Sequence, residues 1–425
     1  MLSKYIAGGN RLINNRAAAF SAWSHLTAAP ADPILGLNEA FKAETNPKKV
    51  LLGMGVYRDD KGKPFILDCV RQAEERLLKS NADHEYAGIQ GIDSFIEKAV
   101  ELGYGVDCKQ RLEGRIAGAQ AISGTGALRL GLNFFAQWYP HKDIDYMVPN
   151  PTWPIHKSLG DILGLHTKEY RYYSKETKGL DIDGMLADLK ACKNNSFVLF
   201  HVCAHNPTGV DPTEQQWQNI LDVVKTKKLF CGFDSAYQGF ASGDLDRDAY
   251  SLRLFLKHTD DVFLFQSFAK NFGLYGERVG AFSVVTDSKE EAKITMSRIK
   301  QIARPIYSNP PIHGARIVDI ILRDEQLTKM WHQDLKDMSS RMAGMRKALV
   351  DKLKSHGNEH DWSHVTSQIG MFAYTGLNKE QVTELKEKHA IYMTMDGRIS
   401  IAGLNSSNID YVSEAFHKVT HGKKF

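Results

Sequence analysis

Several things are missing from this chain of 425 residues, and each absence closes a possibility. No uninterrupted apolar run approaches the ~20 residues of a membrane-spanning helix. Cysteine is scarce and unpatterned: Cys69, Cys108, Cys192, Cys203 and Cys231 are five in number, with no Cys-x-x-Cys pair. An odd, scattered set fits free thiols in a reducing compartment rather than a disulfide framework. The net charge of +4 is too small to argue for nucleic acid or a membrane surface. There is no internal repeat and no low-complexity segment. Acid is absent from the first 31 residues.

That last absence comes with Lys4, Arg11 and Arg16, with serines and with many alanines. Leu2, Tyr5, Ile6, Leu12 and Ile13 fall on one side of a helix broken at Gly8-Gly9. An acid-poor, arginine-bearing, amphipathic start is the pattern of a mitochondrial transit peptide, expected over residues 1–20 with cleavage near Ala19 to Ser21. An ordinary polar tail on a cytoplasmic protein is the other reading of the same residues.

What remains has 43% hydrophobic and 24% charged residues, ordinary for a globular protein, and is long enough for a full core and a second, smaller domain. Helical periodicity covers Val70 to Leu78 and Ser94 to Leu102, with a glycine-punctuated loop, His84 to Gly91, between them. The middle third alternates. Strand-like runs at Asn195 to Cys203, Leu229 to Phe233, Val262 to Gln266 and Val279 to Val285 are separated by helical patterns. Thr213-x-x-Gln216 is a capping box that opens a core-facing stripe of Trp217, Ile220, Leu221 and Val224. Such alternation predicts an α/β chain with a mostly parallel sheet covered by helices. Further on, Pro305 predicts a loop carrying Arg304. Long charged helices are expected from about Ile317 to His356, a strand at Gln368 to Phe372, a helix from Leu377 to Lys388, and a hairpin from Ile391 to Ala402.

Chemistry gathers around Ser267-Phe-Ala-Lys-Asn-Phe-Gly-Leu-Tyr-Gly-Glu-Arg278, directly after a strand. Ligand sites of open α/β sheets lie at the carboxyl ends of the strands. There, shielded from water and near another cation, the Lys270 amine can be neutral and form a Schiff base. Pyridoxal phosphate needs such an amine, and Ser267 and Arg278 could hold its phosphate. Taken alone, Lys270 reads better as a solvated surface charge. Ser-x-x-Lys is also an acyl-transferase nucleophile motif, but the Ser-Asp-Asn and Lys-Thr-Gly tripeptides that accompany it do not occur.

Two glycine-containing stretches lack the third glycine of a dinucleotide fingerprint. Arg58 replaces it after Gly53-x-Gly55, and Arg129 after Gly124-x-Gly126. Ser123-Gly-Thr-Gly126, at a helix start, still offers N–H groups, hydroxyls and the positive helix end to a single phosphate, or serves as an unliganded cap. His201-x-Cys-x-His205 puts three metal-ligand types on one face of a strand, without a fourth at zinc-like spacing. A structural histidine pair near the site is the expectation, and no metal is assigned.

In order along the chain stand Gly53-Met-Gly-Val-Tyr-Arg-Asp-Asp60, Ser123-Gly-Thr-Gly-Ala127, Pro151-Thr-Trp153, His205-Asn-Pro-Thr-Gly209, Phe233-Asp-Ser-Ala-Tyr-Gln-Gly-Phe240, Ser267 to Tyr275, Tyr307-Ser-Asn-Pro-Pro311, Ile369-Gly-Met-Phe372 and Asp396-Gly-Arg-Ile-Ser400. With these, the chain from about Ala22 onward resembles the aspartate aminotransferases, class I pyridoxal-phosphate enzymes. Ser21-Ala-Trp-Ser-His-Leu26 looks most like the mitochondrial branch, which agrees with a matrix location.

The resemblance implies the type I fold of these transferases, with a mostly parallel sheet in a large domain and a small α/β domain built from both chain ends. The corresponding expected ranges are residues 66–335 for the large domain and 336–425 for the small one. Residues 21–65 would be an N-terminal arm and part of the small domain. It implies Lys270 as Schiff-base lysine and proton carrier, Asp234 at the pyridine nitrogen, and Tyr237 and Asn206 at the phenolic oxygen. Trp153 would stack on the ring, while Ser123, Gly124, Thr125, Ser267 and Arg278 bind the phosphate. Arg398, with Asn206, Trp153 and the backbone near Gly55, would take the substrate α-carboxylate. Tyr86 and Arg304 would come from the second subunit of a homodimer, Arg304 to bind the side-chain carboxylate. The implied reaction is ping-pong exchange between L-aspartate and 2-oxoglutarate through a pyridoxamine form. An aromatic or kynurenine-type aminotransferase and a non-catalytic binding protein on the same fold are the alternatives. Two departures from the family pattern, Pro154-Ile155 before His156 and Ala87-Gly88 after Tyr86, lie beside the expected site.

Overall fold

In the computed structural model, residues 21–28 and 33–423 are described. The transit-peptide reading of residues 1–20 lies outside them.

Seven strands form the main sheet: β1 (Ile116–Ile122), β2 (Tyr146–Asn150), β3 (Thr167–Arg171), β4 (Phe197–His201), β5 (Phe230–Ser235), β6 (Val262–Ser267) and β7 (Val279–Val285). Their order across the sheet is β1-β7-β6-β5-β4-β2-β3. The pairings from β3 through to β6 are parallel, and β7 is antiparallel to both its neighbours. Six strands therefore point one way and β7 alone runs back. β4 to β7 are buried almost throughout, as expected of strands covered by helices on both faces. One face packs as a cluster of rings, Phe197, Phe263, Phe265 and Phe282 among them. The Ser123–Trp138 helix lies on this face so closely that a Cβ at Gly131 would sit 2.4 Å from Phe265.

The capping box forms as expected. Gln216 N–H donates to Thr213 Oγ1 (3.3 Å), and Thr213 N–H donates to Gln216 Oε1 (2.8 Å), opening the Glu214–Lys227 helix. Trp217, Ile220, Leu221 and Val224 are buried beneath it, each contributing about 1.5–3 kcal/mol of burial. Thr213→Ala should cost about 1 kcal/mol. Urea denaturation checks this as a lower midpoint with unchanged slope.

A second, smaller assembly is sewn from segments far apart in sequence. Val50–Leu51 pairs in parallel with Ile391–Tyr392, and Phe372–Tyr374 pairs antiparallel with Arg398–Ser400. Leu52 joins them, its carbonyl accepting from Ser400 N–H at 2.6 Å. These bonds bring Gly53 and Gly55 beside Arg398.

Local structure departs from the sequence reading in four places. The helix expected to stop at Arg304 runs from Lys289 to Tyr307 with Pro305 inside it. In the last turn the missing proline N–H removes only one hydrogen bond, so Arg304 sits on a helix, not on a loop. The helices expected from about Ile317 to His356 are His313–Arg323 and Glu325–Ser355, parted where Asp324 leaves helical geometry to accept Leu327 N–H as an N-cap. The strand near Phe372 starts late, since Gly370 adopts φ +81°. The Ile391–Ala402 segment is no hairpin, because its two strands pair with different partners. Finally, β4 ends at His201, so Cys203 and His205 do not share a strand face with it.

Candidate active site

Every strand end that approaches the site does so at one edge of the sheet. β5 delivers Asp234, β6 leads to Lys270, β4 ends at His201, and β1 hands over to Ser123. β2 leads to Trp153, and Arg278 stands just before the reversed β7. These residues line a cleft of about 270 Å³ together with Gly55, Gly124, Thr125, Asn206, Tyr237, Ser267 and Arg398. Twelve of the fourteen site residues expected from sequence thus converge. Tyr86 and Arg304 do not. Tyr86 is 86% exposed, and Arg304 is an exposed residue whose Nη1 donates to Ser308 Oγ at 2.5 Å.

Burial pulls the Lys270 amine down from the usual lysine range, the Arg278 charge pulls the same way, and Asp234 opposes both. Its Nζ lies 5.3 Å from the Tyr237 ring centroid. For Asp234, burial alone would raise the carboxyl. The hydrogen bond and charge of His156, with the nearby His201 and Lys270, outweigh that and leave it below its ordinary value. Tyr237, 3% exposed, has its phenol raised by burial.

His156 is the functional neighbour that sequence reasoning missed. It is fully buried, its Nε2 donates to Asp234 Oδ2 at 3.0 Å, and its Nδ1 lies 2.7 Å from Thr152 Oγ1. The departure at Pro154-Ile155 leaves this arrangement intact. Pro154 takes the first position of the Pro154–Ile162 helix, where a missing N–H costs nothing. His156 then falls one turn inside, and Thr152-x-x-x-His156 was the available signal. The ring nitrogens of His156 and His201 and the Asp234 carboxylate lie within 4.8 Å of one another. Asp234 already accepts from His156, and burial pushes His201 down to about 3, leaving it neutral. His205, stacked on Tyr172 at 3.8 Å, hydrogen-bonds Thr208 rather than joining this trio.

Arg398, 6% exposed, lines the same cleft. Its Nη2 donates to the Gly53 carbonyl at 3.1 Å, and its guanidinium lies 4.2 Å from the Phe372 ring centroid. Burial lowers its pKa against the pull of Asp396. A guanidinium in this setting is primed for a bidentate carboxylate.

The same cleft holds a cradle for one phosphate. The Ser123–Trp138 helix starts without a side-chain cap, leaving its first N–H groups open to a ligand. Ser123 Oγ and Ser267 Oγ are 3.0 Å apart. A Cβ on Gly124 would sit 3.2 Å from Ser267. Arg278, its backbone at φ +55°, accepts Ser123 N–H through its carbonyl. Two hydroxyls, a helix N-terminus and a guanidinium suit a phosphate monoester.

A sheet-edge cleft with a buried amine, a buried carboxylate, a phosphate cradle and a carboxylate-binding arginine defines the class of enzymes that process amino acids on a carbonyl cofactor. Residues 47–416 match the family model for aminotransferase class I and II, and the chain belongs to that family. It is 48% identical to the mitochondrial aspartate aminotransferase of Dictyostelium discoideum over 398 residues, covering 94% of this chain and 93% of that one. Among solved structures it is similar to a mitochondrial aspartate aminotransferase from Trypanosoma brucei, with TM-score 0.87 and 45% identity over 91% of this chain and 100% of that chain. It is also similar to an aromatic-amino-acid aminotransferase from Burkholderia pseudomallei covalently bound to pyridoxal phosphate. The TM-score there is 0.91 at 42% identity, covering 94% of this chain and 99% of the other.

Proposed function

We propose that this chain is a pyridoxal-phosphate-dependent aspartate aminotransferase of the mitochondrial matrix, exchanging amino groups between L-aspartate and 2-oxoglutarate. One observation carries the reading: a single cleft holds the Lys270–Asp234 pair together with the buried Arg398. Relatives named as mitochondrial aspartate aminotransferases support the substrate and the location.

Ser123, Gly124, Thr125, Ser267 and Arg278 would hold the cofactor phosphate, Trp153 its ring, Asn206 and Tyr237 its phenolic oxygen, and Asp234 its ring nitrogen. When bound, pyridoxal phosphate supplies the sink for the electrons left on the substrate when a Cα proton departs. The chain's own residues do the rest. Lys270 Nζ, whose lowered pKa favours the free base, takes the Cα proton and returns it elsewhere, acting as base and acid in turn. Asp234, kept ionised with the help of His156, holds a proton on the ring nitrogen. Arg398 grips the α-carboxylate, with Gly55 allowing close approach, and thereby aims Cα at Lys270.

The outward-facing Tyr86 and Arg304 support a homodimer in which each serves the partner's cleft, Arg304 taking the second carboxylate. Asn309 Nδ2, donating to the Ala87 carbonyl at 2.7 Å, ties the Tyr86 loop to the segment after Arg304, so the departure at Ala87-Gly88 keeps a backbone anchor. The strand pairings between the two chain ends support a small domain of residues 21–65 and 336–425 beside a large domain of residues 66–335.

The test is a half-reaction series with aspartate, glutamate and tyrosine on one preparation. Aspartate should bleach the cofactor absorbance and release oxaloacetate. It should outpace tyrosine roughly tenfold to a hundredfold, because tyrosine leaves Arg304 unpaired. Absence of bound cofactor sinks the reading, and tyrosine matching aspartate makes this an aromatic aminotransferase.

A further inference from the structure

A buried cation outside the cleft has no role in the reaction as derived so far. Arg346, on the Glu325–Ser355 helix, is 3% exposed, and burial is what acts on its guanidinium. It serves the backbone instead of a carboxylate. Nη1 donates to the Val365 carbonyl at 3.0 Å, and Nη2 donates to those of Gly370 and Phe372 at 2.9 and 2.6 Å. Desolvating a cation is costly, so three converging hydrogen bonds in one small region must offset that cost.

The segment so held is the one that crosses the cleft. Ile369 N–H donates to the Gly209 carbonyl at 2.7 Å, next to the loop that carries Asn206. Gly370, at φ +81°, passes so near Ala204 that a Cβ would meet the alanine Cβ at 2.5 Å. Phe372 then turns its ring into the cleft. There it backs the Arg398 guanidinium and lies 6.4 Å from Tyr237, and a Cβ on Gly55 would approach its Cζ to 3.1 Å. Phe372 thus meets Arg398, Tyr237 and Gly55, and its own carbonyl makes the shortest of the three Arg346 bonds.

We infer that Arg346 is a positioning residue for substrate binding: by clamping the backbone from Val365 to Phe372, it sets the ring against which Arg398 is aimed at the α-carboxylate. The inference rests on the aminotransferase reading of the cleft. It separates two steps. Arg346 acts on carboxylate recognition through Phe372 and Arg398, and bonds neither Lys270 nor Asp234.

A double-mutant cycle on the holoenzyme tests it, with Arg346→Lys, Phe372→Leu and their combination assayed for KM and kcat. Lysine keeps the charge but not the fork that reaches three carbonyls. Each single change should raise KM for aspartate about tenfold, with kcat within about twofold and the cofactor absorbance unchanged. The double variant should be little worse than the weaker single, because both changes act through one ring. Additive losses of about a hundredfold overturn the inference, as does a fall in kcat at constant KM. If Arg346→Lys gives no soluble holoenzyme, Arg346→Gln, which buries no ammonium, enters the same cycle with the same outcomes. A wild-type enzyme that turns over tyrosine but not aspartate overturns the substrate reading alone. The cycle is then read with tyrosine, whose α-carboxylate meets the same Arg398.

Discussion

Lys270→Ala is expected to lower the single-turnover rate with aspartate by about 10⁴-fold, the upper end of what one positioned acid–base group contributes. Among the described residues no other amine lines the cleft, so none of them substitutes for Nζ at the substrate Cα. The fold should survive. Lys270 is a desolvated cation whose removal relieves a burial penalty, and the neighbouring strand β6 packs through Phe263 and Phe265 on the opposite side. A pH titration of stability gives an independent readout. Because the folded-state pKa is lowered, the unfolded chain binds more protons between that value and the ordinary ~10.4 of lysine. Wild-type stability should therefore rise with pH through that window, and the slope contributed by Lys270 should vanish in Lys270→Ala. The assignment fails if the variant keeps a rate within tenfold of wild type.

Asp234→Ala should be the next most damaging change, lowering kcat about 10³-fold as expected for loss of a positioned electrostatic group. The effect has two sources. On the proposed cofactor placement the ring nitrogen loses the carboxylate that would keep it protonated, and His156, fully buried, loses the acceptor 3.0 Å away. The second loss costs on the order of 1–3 kcal/mol for an unsatisfied buried donor, so the melting temperature should fall as well. Removing Asp234 also removes the main upward pull on Lys270, so the amine should titrate lower still in the variant. The pH dependence of amine labelling in cofactor-free protein measures that shift. An unchanged or raised midpoint would contradict the placement of Asp234 beside Lys270. Asp234→Glu, which restores the charge at a different reach, should recover part of the rate.

The contrast between what each level decided is clearest in particular residues. Buried strands announced themselves, because β4 to β7 are apolar on both faces and leave no ambiguity about burial. The capping box at Thr213 and the stripe from Trp217 to Val224 are local patterns, set by bonds within one helical turn, and they formed as read. Pro305 and the Ile391–Ala402 segment misled for different reasons. A proline in a last turn removes only one hydrogen bond and need not end a helix, whereas two strands with separate partners are settled by neighbours distant in sequence. His156 escaped notice because a lone histidine acquires meaning only when a carboxylate 78 positions away turns out to face it.

The sequence by itself determined the residue types of the site and their order along the chain, since chemistry is carried by side-chain identity. A lysine after a strand, a Ser-Gly-Thr helix start and an arginine near the C-terminus were legible without coordinates. Only the tertiary structure decided that they share one cleft. Six strands pointing one way with β7 reversed bring their ends to a single sheet edge, and the pairing of Leu52 with Ser400 draws Gly55 to Arg398. Burial then did what identity alone cannot. It lowered the Lys270 amine, kept His201 neutral, and left Arg346 to be satisfied by three carbonyls. Those are properties of the surroundings, and surroundings exist only in the folded chain.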